Sequence, residues 1–255
     1  PEFEVMAKMS AAPHFVGGHA DFTVSATYYA GGGLANAPVR WRVSCRDMPY
    51  APPGWDRFTF GRVNPSRLGA GGRSDPRRVN TFAGTTDPAG EHRLRVDFLG
   101  ITPRGPSLLW AEATVQDLNR QAWTTRSELI VHPAAHYVGL RGPRRFVDEG
   151  TPLQVEAILT DLDGKPLAGR AIRLRAARRE EVFRRGAWRE EETHVQEMTL
   201  TSGAEPVVAL FEAPEAGDYF ITATIEDEAG RPNQSEIEIW VYGGRYFDGT
   251  VTKRY

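Results

Sequence analysis

The chain states one plan twice, and that bounds its fold more tightly than any single motif. Phe15-Val16 followed by Phe22, Val24 and Ala26 recurs 131 positions later as Phe146-Val147 followed by Leu153, Val155 and Ala157. Ala113-Thr114-Val115-Gln116-Asp117 returns 110 positions on as Ala223-Thr224-Ile225-Glu226-Asp227. Ser127-Glu128-Leu129-Ile130-Val131 returns 108 positions on as Ser235-Glu236-Ile237-Glu238-Ile239. Matching segments in the same order mean one supersecondary unit used twice, and the shrinking offset places an insertion in the first copy. Two copies do not make a solenoid, so each must bury its own core.

The period inside each copy is two. Phe22, Val24, Ala26 and Tyr28 alternate with Thr23, Ser25 and Thr27, and Val39, Trp41, Val43 and Cys45 alternate with Arg40, Arg42 and Ser44. One apolar and one polar face is the mark of a half-buried strand. Leu94, Val96 and Phe98 follow the turn Asp87-Pro88-Ala89-Gly90, and Leu109 to Val115 and Leu129 to Val131 close the first copy. The second copy answers with Leu153 to Leu159, Ile172 and Leu174, Met198 and Leu200, Val208 and Leu210, Tyr219 to Ile225, and Ile237 to Val241. Asp163-Gly164 after the first of these reads as a hairpin turn with both central residues at positive φ. About seven short strands per copy, separated by Gly, Pro and Asp, give an all-β chain of two tandem antiparallel β-sandwiches. The expected division is 1–133, 134–245 and a tail over 246–255, with the boundary near His132-Pro133-Ala134-Ala135-His136.

The insertion lies in 46–80, rich in Pro, Gly and Arg. Seven Arg (46, 57, 62, 67, 73, 77, 78) against three Asp (47, 56, 75) give it a local charge of +4, and its first half carries Tyr50, Trp55, Phe58 and Phe60. It reads either as a long hairpin whose aromatics cover an open sandwich end, or as an exposed contact or cleavage loop. Trp55, Arg57, Arg62, Arg67, Arg73, Arg77 and Arg78 are the candidate residues of that loop. The charged excursion Arg175 to Glu192 reads as a solvated hairpin or a short helical turn.

Catalytic chemistry finds no foothold. His14, His19, His92, His132, His136 and His194 show no metal-ligand spacing, and no Gly-x-Ser-x-Gly elbow or phosphate-cradling loop occurs. Asp161, Asp163, Asp227 and Glu228 read as turn residues rather than calcium ligands. Cys45 falls on the inward register and reads as a small hydrophobe, and Tyr219 as a corner tyrosine tying a loop. The net charge of −2 makes no electrostatic case for nucleic acid or anionic lipid. No apolar run reaches the ~18 residues a membrane helix needs, and one cysteine excludes an internal disulfide. No cofactor and no metal is expected.

Several segments also resemble a known family. Pro1-Glu2-Phe3-Glu4-Val5 resembles the opening of the third macroglobulin domain of α2-macroglobulins and complement-like proteins. Tyr28 to Leu34 and Ala37-Pro38-Val39-Arg40-Trp41 resemble the bacterial version of that domain. Tyr137-Val138-Gly139-Leu140-Arg141 resembles the opening of the next, and Ala223 to Arg231 its late strand pair. The resemblance covers essentially the whole chain and implies two macroglobulin (fibronectin-III-like) domains, third and fourth in the usual count, within a larger bacterial α2-macroglobulin-like protein. Such proteins trap proteases after cleavage of a bait segment, some through a Cys-x-Glu-Gln thioester. Cys45 is followed by Arg46-Asp47-Met48, so no thioester carries over, and the bait belongs to a later domain. The resemblance implies a non-catalytic scaffold segment whose partners are neighbouring macroglobulin domains and, through the full-length protein, proteases. It also implies a periplasmic parent, often lipid-anchored. The competing readings are a tandem Ig-like adhesion or ligand-binding module using loop 46–80, that loop as an auxiliary bait, and, least of all, an enzyme.

Overall fold

The computed structural model describes residues 2–61, 78–99, 105–143, 146–184 and 186–243. Among these, every regular element is a strand. The first part of the chain runs through β1 (Phe3–Met9), β2 (His14–Phe15), β3 (His19–Tyr28), β4 (Pro38–Asp47), β5 (Thr59–Phe60), β6 (Arg78–Thr85), β7 (Glu91–Asp97), β8 (Ser107–Gln116) and β9 (Ala122–His132). The second runs through β10 (Tyr137–Arg141), β11 (Val147–Asp148), β12 (Leu153–Thr160), β13 (Ala171–Arg184), β14 (Ala187–Thr201), β15 (Val207–Phe211), β16 (Gly217–Glu226) and β17 (Pro232–Tyr242).

The strands form two compact units. Unit 1 is Pro1–Pro49 with Pro65–Ala134, and unit 2 is Tyr50–Asn64 with Ala135–Tyr255. Sequence reading keeps the whole insertion with the first copy, but its stretch Tyr50–Asn64 belongs to the second unit.

Unit 1 is a sandwich of a three-stranded sheet, β1-β3-β7, and a five-stranded sheet, β2-β9-β8-β4-β6. Its core is what the two-residue alternation selects: Phe3, Phe22, Val24, Trp41, Ala111, Val115 and Val131 are all buried. Each large apolar side chain buried this way stabilises by about 1.5–3 kcal/mol. The indole of Trp41 lies within this core, and its Nε1 donates to Nδ1 of His92 at 3.0 Å, so burial leaves no orphaned donor. Cys45 is half-buried against the same cluster.

Unit 2 repeats the order strand for strand, β10-β12-β15 against β11-β17-β16-β13-β14, with β5 added at the free edge of β10. Leu140, Leu153, Ile172, Phe211, Tyr219 and Ile221 fill its core. Tyr219 Oη donates to the Glu215 carbonyl at 3.0 Å, the loop tie expected of a corner tyrosine. The charged excursion is the tip of the β13–β14 hairpin, where Arg175 and Arg179 both grip Glu192, at 2.6 and 2.9 Å.

Two local expectations shift. On β15 the inward residues are Val207, Ala209 and Phe211, while Val208 and Leu210 face solvent. A one-residue change of register exchanges the faces of a strand, and Val and Leu on both faces left the sequence ambiguous. At Asp161–Lys165 only Gly164 has positive φ, and the turn closes a single bridge, Thr160 to Pro166, before the chain crosses to the opposite sheet. β12 and β13 therefore do not pair.

One turn recurs four times. Asp87, Asp117, Asp161 and Asp227 each accept from the backbone N–H four residues on, at 2.8 to 3.0 Å. The carboxylate takes donors that the bend strips from the ladder, which is ordinary Asx-turn chemistry. The fourth residue of each turn sits at positive φ: Gly90 (82°), Arg120 (62°), Gly164 (81°) and Gly230 (73°). Arg120 is the exception in a series of glycines.

Candidate functional site

The most built feature of unit 2 is a strap, Tyr50–Gly61, laid along the edge of its smaller sheet. β4 ends at Asp47, and Pro52-Pro53-Gly54 then turns the chain, closed by Trp55 N–H to Pro52 O at 3.2 Å and Phe58 N–H to Trp55 O at 2.9 Å. Proline presets φ and glycine supplies the positive value, 84° at Gly54. The compact turn spaces the four aromatic rings along the edge.

Each ring has a prepared place. Tyr50 Oη donates to Leu162 O at 2.9 Å, and its ring lies 4.8 Å from that of Tyr137. Trp55 Nε1 donates to Gly164 O at 2.8 Å. Phe58 is buried beneath the Arg141 guanidinium, 4.7 Å from the ring centre, and Arg141 also hydrogen-bonds Glu156. Phe60 pairs with Gly139, where a Cβ would come within 2.6 Å of the ring. At Gly164 a Cβ would meet Pro53 O at 2.1 Å. Both positions require glycine for the same reason: another segment passes where a side chain would be.

The backbone of the strap is anchored too. Thr59 and Phe60 add an antiparallel strand to Leu140 and Gly139. Gly61 N–H donates to Ser235 Oγ at 2.8 Å, and Glu236 N–H donates to Gly61 O at 2.9 Å. Ser235 Oγ in turn donates to Val138 O, and Val138 N–H donates to Asn233 Oδ1 at 3.0 Å. Asn233 and Ser235 are fully buried, so these bonds form where an unmet donor costs about 1–3 kcal/mol. The strap thus bridges β10 in one sheet to β17 in the other.

The electrostatics of the strap suit holding. Burial first, then the nearby Asp163 and Asp161 carboxylates, push the Tyr50 phenol above its ordinary range. Burial and then Tyr50 do the same to Tyr137. Both therefore remain hydrogen-bond donors rather than bases. Among the described residues no group of three or more His, Cys, Asp or Glu is placed to hold a metal ion.

Of the residues singled out from sequence, Trp55 is half-buried in the strap and Arg57 is exposed beside it. Arg78 opens β6 opposite Cys45. Arg62, Arg67, Arg73 and Arg77 lie outside the described residues. The acceptors Gly139, Gly164, Asn233 and Ser235 were not singled out, although a lone glycine inside Tyr137-Val138-Gly139-Leu140-Arg141 is a sequence signal of close approach.

No protein-family model matches the chain. An alpha-2-macroglobulin homolog of Nostoc sp. is 23% identical over 264 residues, covering 99% of this chain and 14% of the homolog. A Dictyostelium discoideum protein, Circularly permutated Ras protein 2, is 28% identical over 153 residues, covering 56% of this chain and 4% of its own length. Native Escherichia coli alpha-2-macroglobulin overlays all of this chain with a TM-score of 0.62 at 16% identity. The chain is alpha-2-macroglobulin-like in fold. Trypsin-activated E. coli alpha-2-macroglobulin matches 98% of it (TM-score 0.62, 16% identity), and Salmonella alpha-2-macroglobulin reacted with methylamine matches 94% (0.57, 17%). This alpha-2-macroglobulin-like chain spans 17% of each of those structures, under a fifth of their length.

Proposed function

We propose that the chain is a non-catalytic scaffold segment of a longer bacterial alpha-2-macroglobulin-like protein whose full length inhibits endopeptidases by trapping them. The observation that carries the reading is the end-to-end overlay on one-sixth of a solved alpha-2-macroglobulin, 100% of this chain against 17% of that one. In this reading the partners are neighbouring macroglobulin domains of the same parent, the third and fourth positions in the series fall here, and the compartment is the periplasm, with a lipid-anchored parent. Proteases are met by the whole protein, not by this segment.

A strand-sandwich scaffold needs residues that hold rather than react, and the strap supplies them. The adhesion reading, with loop 46–80 as the contact surface, is left without Tyr50, Trp55, Phe58 and Phe60, because all four engage unit 2.

Limited proteolysis with trypsin and with elastase tests the proposal, read by intact mass with protease activity followed in the same tube. The expected result is resistance or slow trimming, with the protease fully active. A fast single cut within 46–80, accompanied by a change of shape or loss of protease activity, would make that loop a bait and overturn the scaffold reading.

A further inference from the structure

Among the described residues, three guanidinium groups are clamped in the same way, between an aromatic ring and a carboxylate. Arg126 lies 5.0 Å from the Trp110 ring centre and pairs with Glu128 at 3.2 Å. Arg141 covers Phe58 at 4.7 Å and pairs with Glu156. Arg179 covers Phe220 at 4.4 Å and pairs with Glu192 at 2.9 Å and Glu236 at 3.2 Å. The ring face attracts the cation through its quadrupole, the carboxylate supplies directed acceptors, and the planar guanidinium satisfies both at once.

A fourth set of rings and carboxylates stands on the outer face of the larger sheet of unit 2, beside Arg179, the cross-strand neighbour of Asp218, which is turned onto Phe220, Glu192 and Glu236 instead. Phe146, Trp240 and Tyr242 meet pairwise, with centroids 6.1, 6.1 and 5.7 Å apart, steeply inclined to one another. They are 59%, 53% and 38% exposed. Asp218 is the cross-strand neighbour of Trp240, and Glu238 lies two residues before Trp240 on the same face of β17. Neither carboxylate has an ion-pair partner among the described residues. Burial, then the Asp218 and Glu236 carboxylates, hold the Glu238 carboxyl above the ordinary glutamate range. Like-charged neighbours beside open rings cost stability alone and are relieved by one cation.

The first copy keeps only one edge of this cluster: Phe15 stands where Phe146 stands and meets His132, the counterpart of Trp240, at 6.2 Å. Leu108, Ile130 and Ala134 replace Asp218, Glu238 and Tyr242, so the two carboxylates are not a requirement of the fold.

We propose that Phe146, Trp240, Tyr242, Asp218 and Glu238 form a docking surface for an arginine side chain carried by an extended segment of a partner polypeptide. The guanidinium stacks on the exposed indole of Trp240 and hydrogen-bonds Glu238 and Asp218, reproducing the clamp that Arg179 makes on the same sheet. Arginine is favoured over lysine because only a planar fork stacks and pairs together.

The test is titration of the full chain with tetra-arginine amide, tetra-lysine amide and tetra-aspartate, following the indole N–H resonances, with Trp240 assigned from Trp240→Phe. A saturable shift of the Trp240 resonance is expected with tetra-arginine, weaker with tetra-lysine and absent with tetra-aspartate. Asp218→Asn together with Glu238→Gln should weaken tetra-arginine binding by about tenfold while leaving the other indole resonances in place, which reports an intact fold. No shift at Trp240, a shift shared by tetra-aspartate, or one indifferent to the double amide variant overturns the proposal. Binding that emerges only after Arg144 and Arg145 are replaced by Ser also overturns it, because the place is then filled from within the chain.

Discussion

β1 and β10 occupy the same place in the two copies, at the edge of the smaller sheet, yet among the described residues only β10 accepts another strand. The register aligns them: Val5 pairs with Ala26 and Leu140 with Ala157, equivalent alanines of the repeat, so Glu4 corresponds to Gly139. At Gly139 the ring of Phe60 fills the space of the missing side chain. At Glu4 a carboxylate stands there instead, within 3.5 Å of Thr27 Oγ1. Lys8 adds a second charge, and Met6 and Met9 remain exposed. Charged residues on a free edge discourage strand addition. Across the sandwich, half-buried Thr125 and Ser127 of the first copy become fully buried Asn233 and Ser235 in the second. An edge is guarded or receptive according to a few side chains, with the fold itself unchanged.

The largest effect should come from giving β10 the guard of β1. Gly139→Glu forces a side chain into the Phe60 ring and should cost about 3 kcal/mol through overpacking and lost strap contacts. Hydrogen exchange should show residues 50–61 losing protection while the β12–β15 ladder keeps it; unchanged protection of the strap would mean that Gly139 does not gate it. Ser235→Ala comes next. It leaves Gly61 N–H and Val138 O without their partner and should cost about 2 kcal/mol in urea denaturation. Ser127→Ala, at the half-buried matching position of the first copy, should stay within about 0.5 kcal/mol. Equal losses in the two would erase the distinction between the edges.

A third difference is titratable. His132 of the first copy stands where Trp240 stands in the second. Burial, and then His14, hold its pKa down at about 4, while the unfolded chain titrates near 6.5. The fold therefore binds the neutral ring. The stability this contributes is complete above pH 6.5 and is lost as the pH falls toward 4, on the order of 1 kcal/mol after allowance for solvent access. His132→Gln should flatten the fall in stability between pH 7 and pH 4.5; an unaltered slope would place the acid sensitivity elsewhere. The smallest effect is at the recurrent turn. Arg120 holds a φ of 62° where the second copy has Gly230, so Arg120→Gly should gain about 0.5 kcal/mol and Gly230→Ala should lose about 1. Thermal melts distinguish the signs.

The sandwiches were legible because alternation such as Phe22-Val24-Ala26 reports burial of one strand face directly, and because the repeat said it twice. Val208 and Leu210 misled because apolar residues on both faces make the period uninformative. The destination of Tyr50, Trp55, Phe58 and Phe60 was not legible for a deeper reason. Their aromatic spacing announces a contact, but Gly139, Gly164 and Ser235 lie far along the chain, and no local pattern couples them. The open ring cluster at Phe146 was hidden likewise, since Trp240 and Tyr242 alternate as any outward strand residues do.

The strap also sets a timetable. Gly61 meets Ser235 across 174 positions of sequence, and a ribosome adding about 5–20 residues per second needs roughly 9 to 35 seconds to make that distance. The β10 edge that receives the rings is itself made 79 positions after Phe60 (139 − 60), so for the first part of that interval the four rings have no edge to join. Such a segment invites association with other nascent chains, and its composition works against that: Pro52-Pro53 cannot join a ladder, and Asp56 and Arg57 place charge between the rings. The prolines that set the turn of the finished strap are the same ones that keep it from pairing before its edge exists.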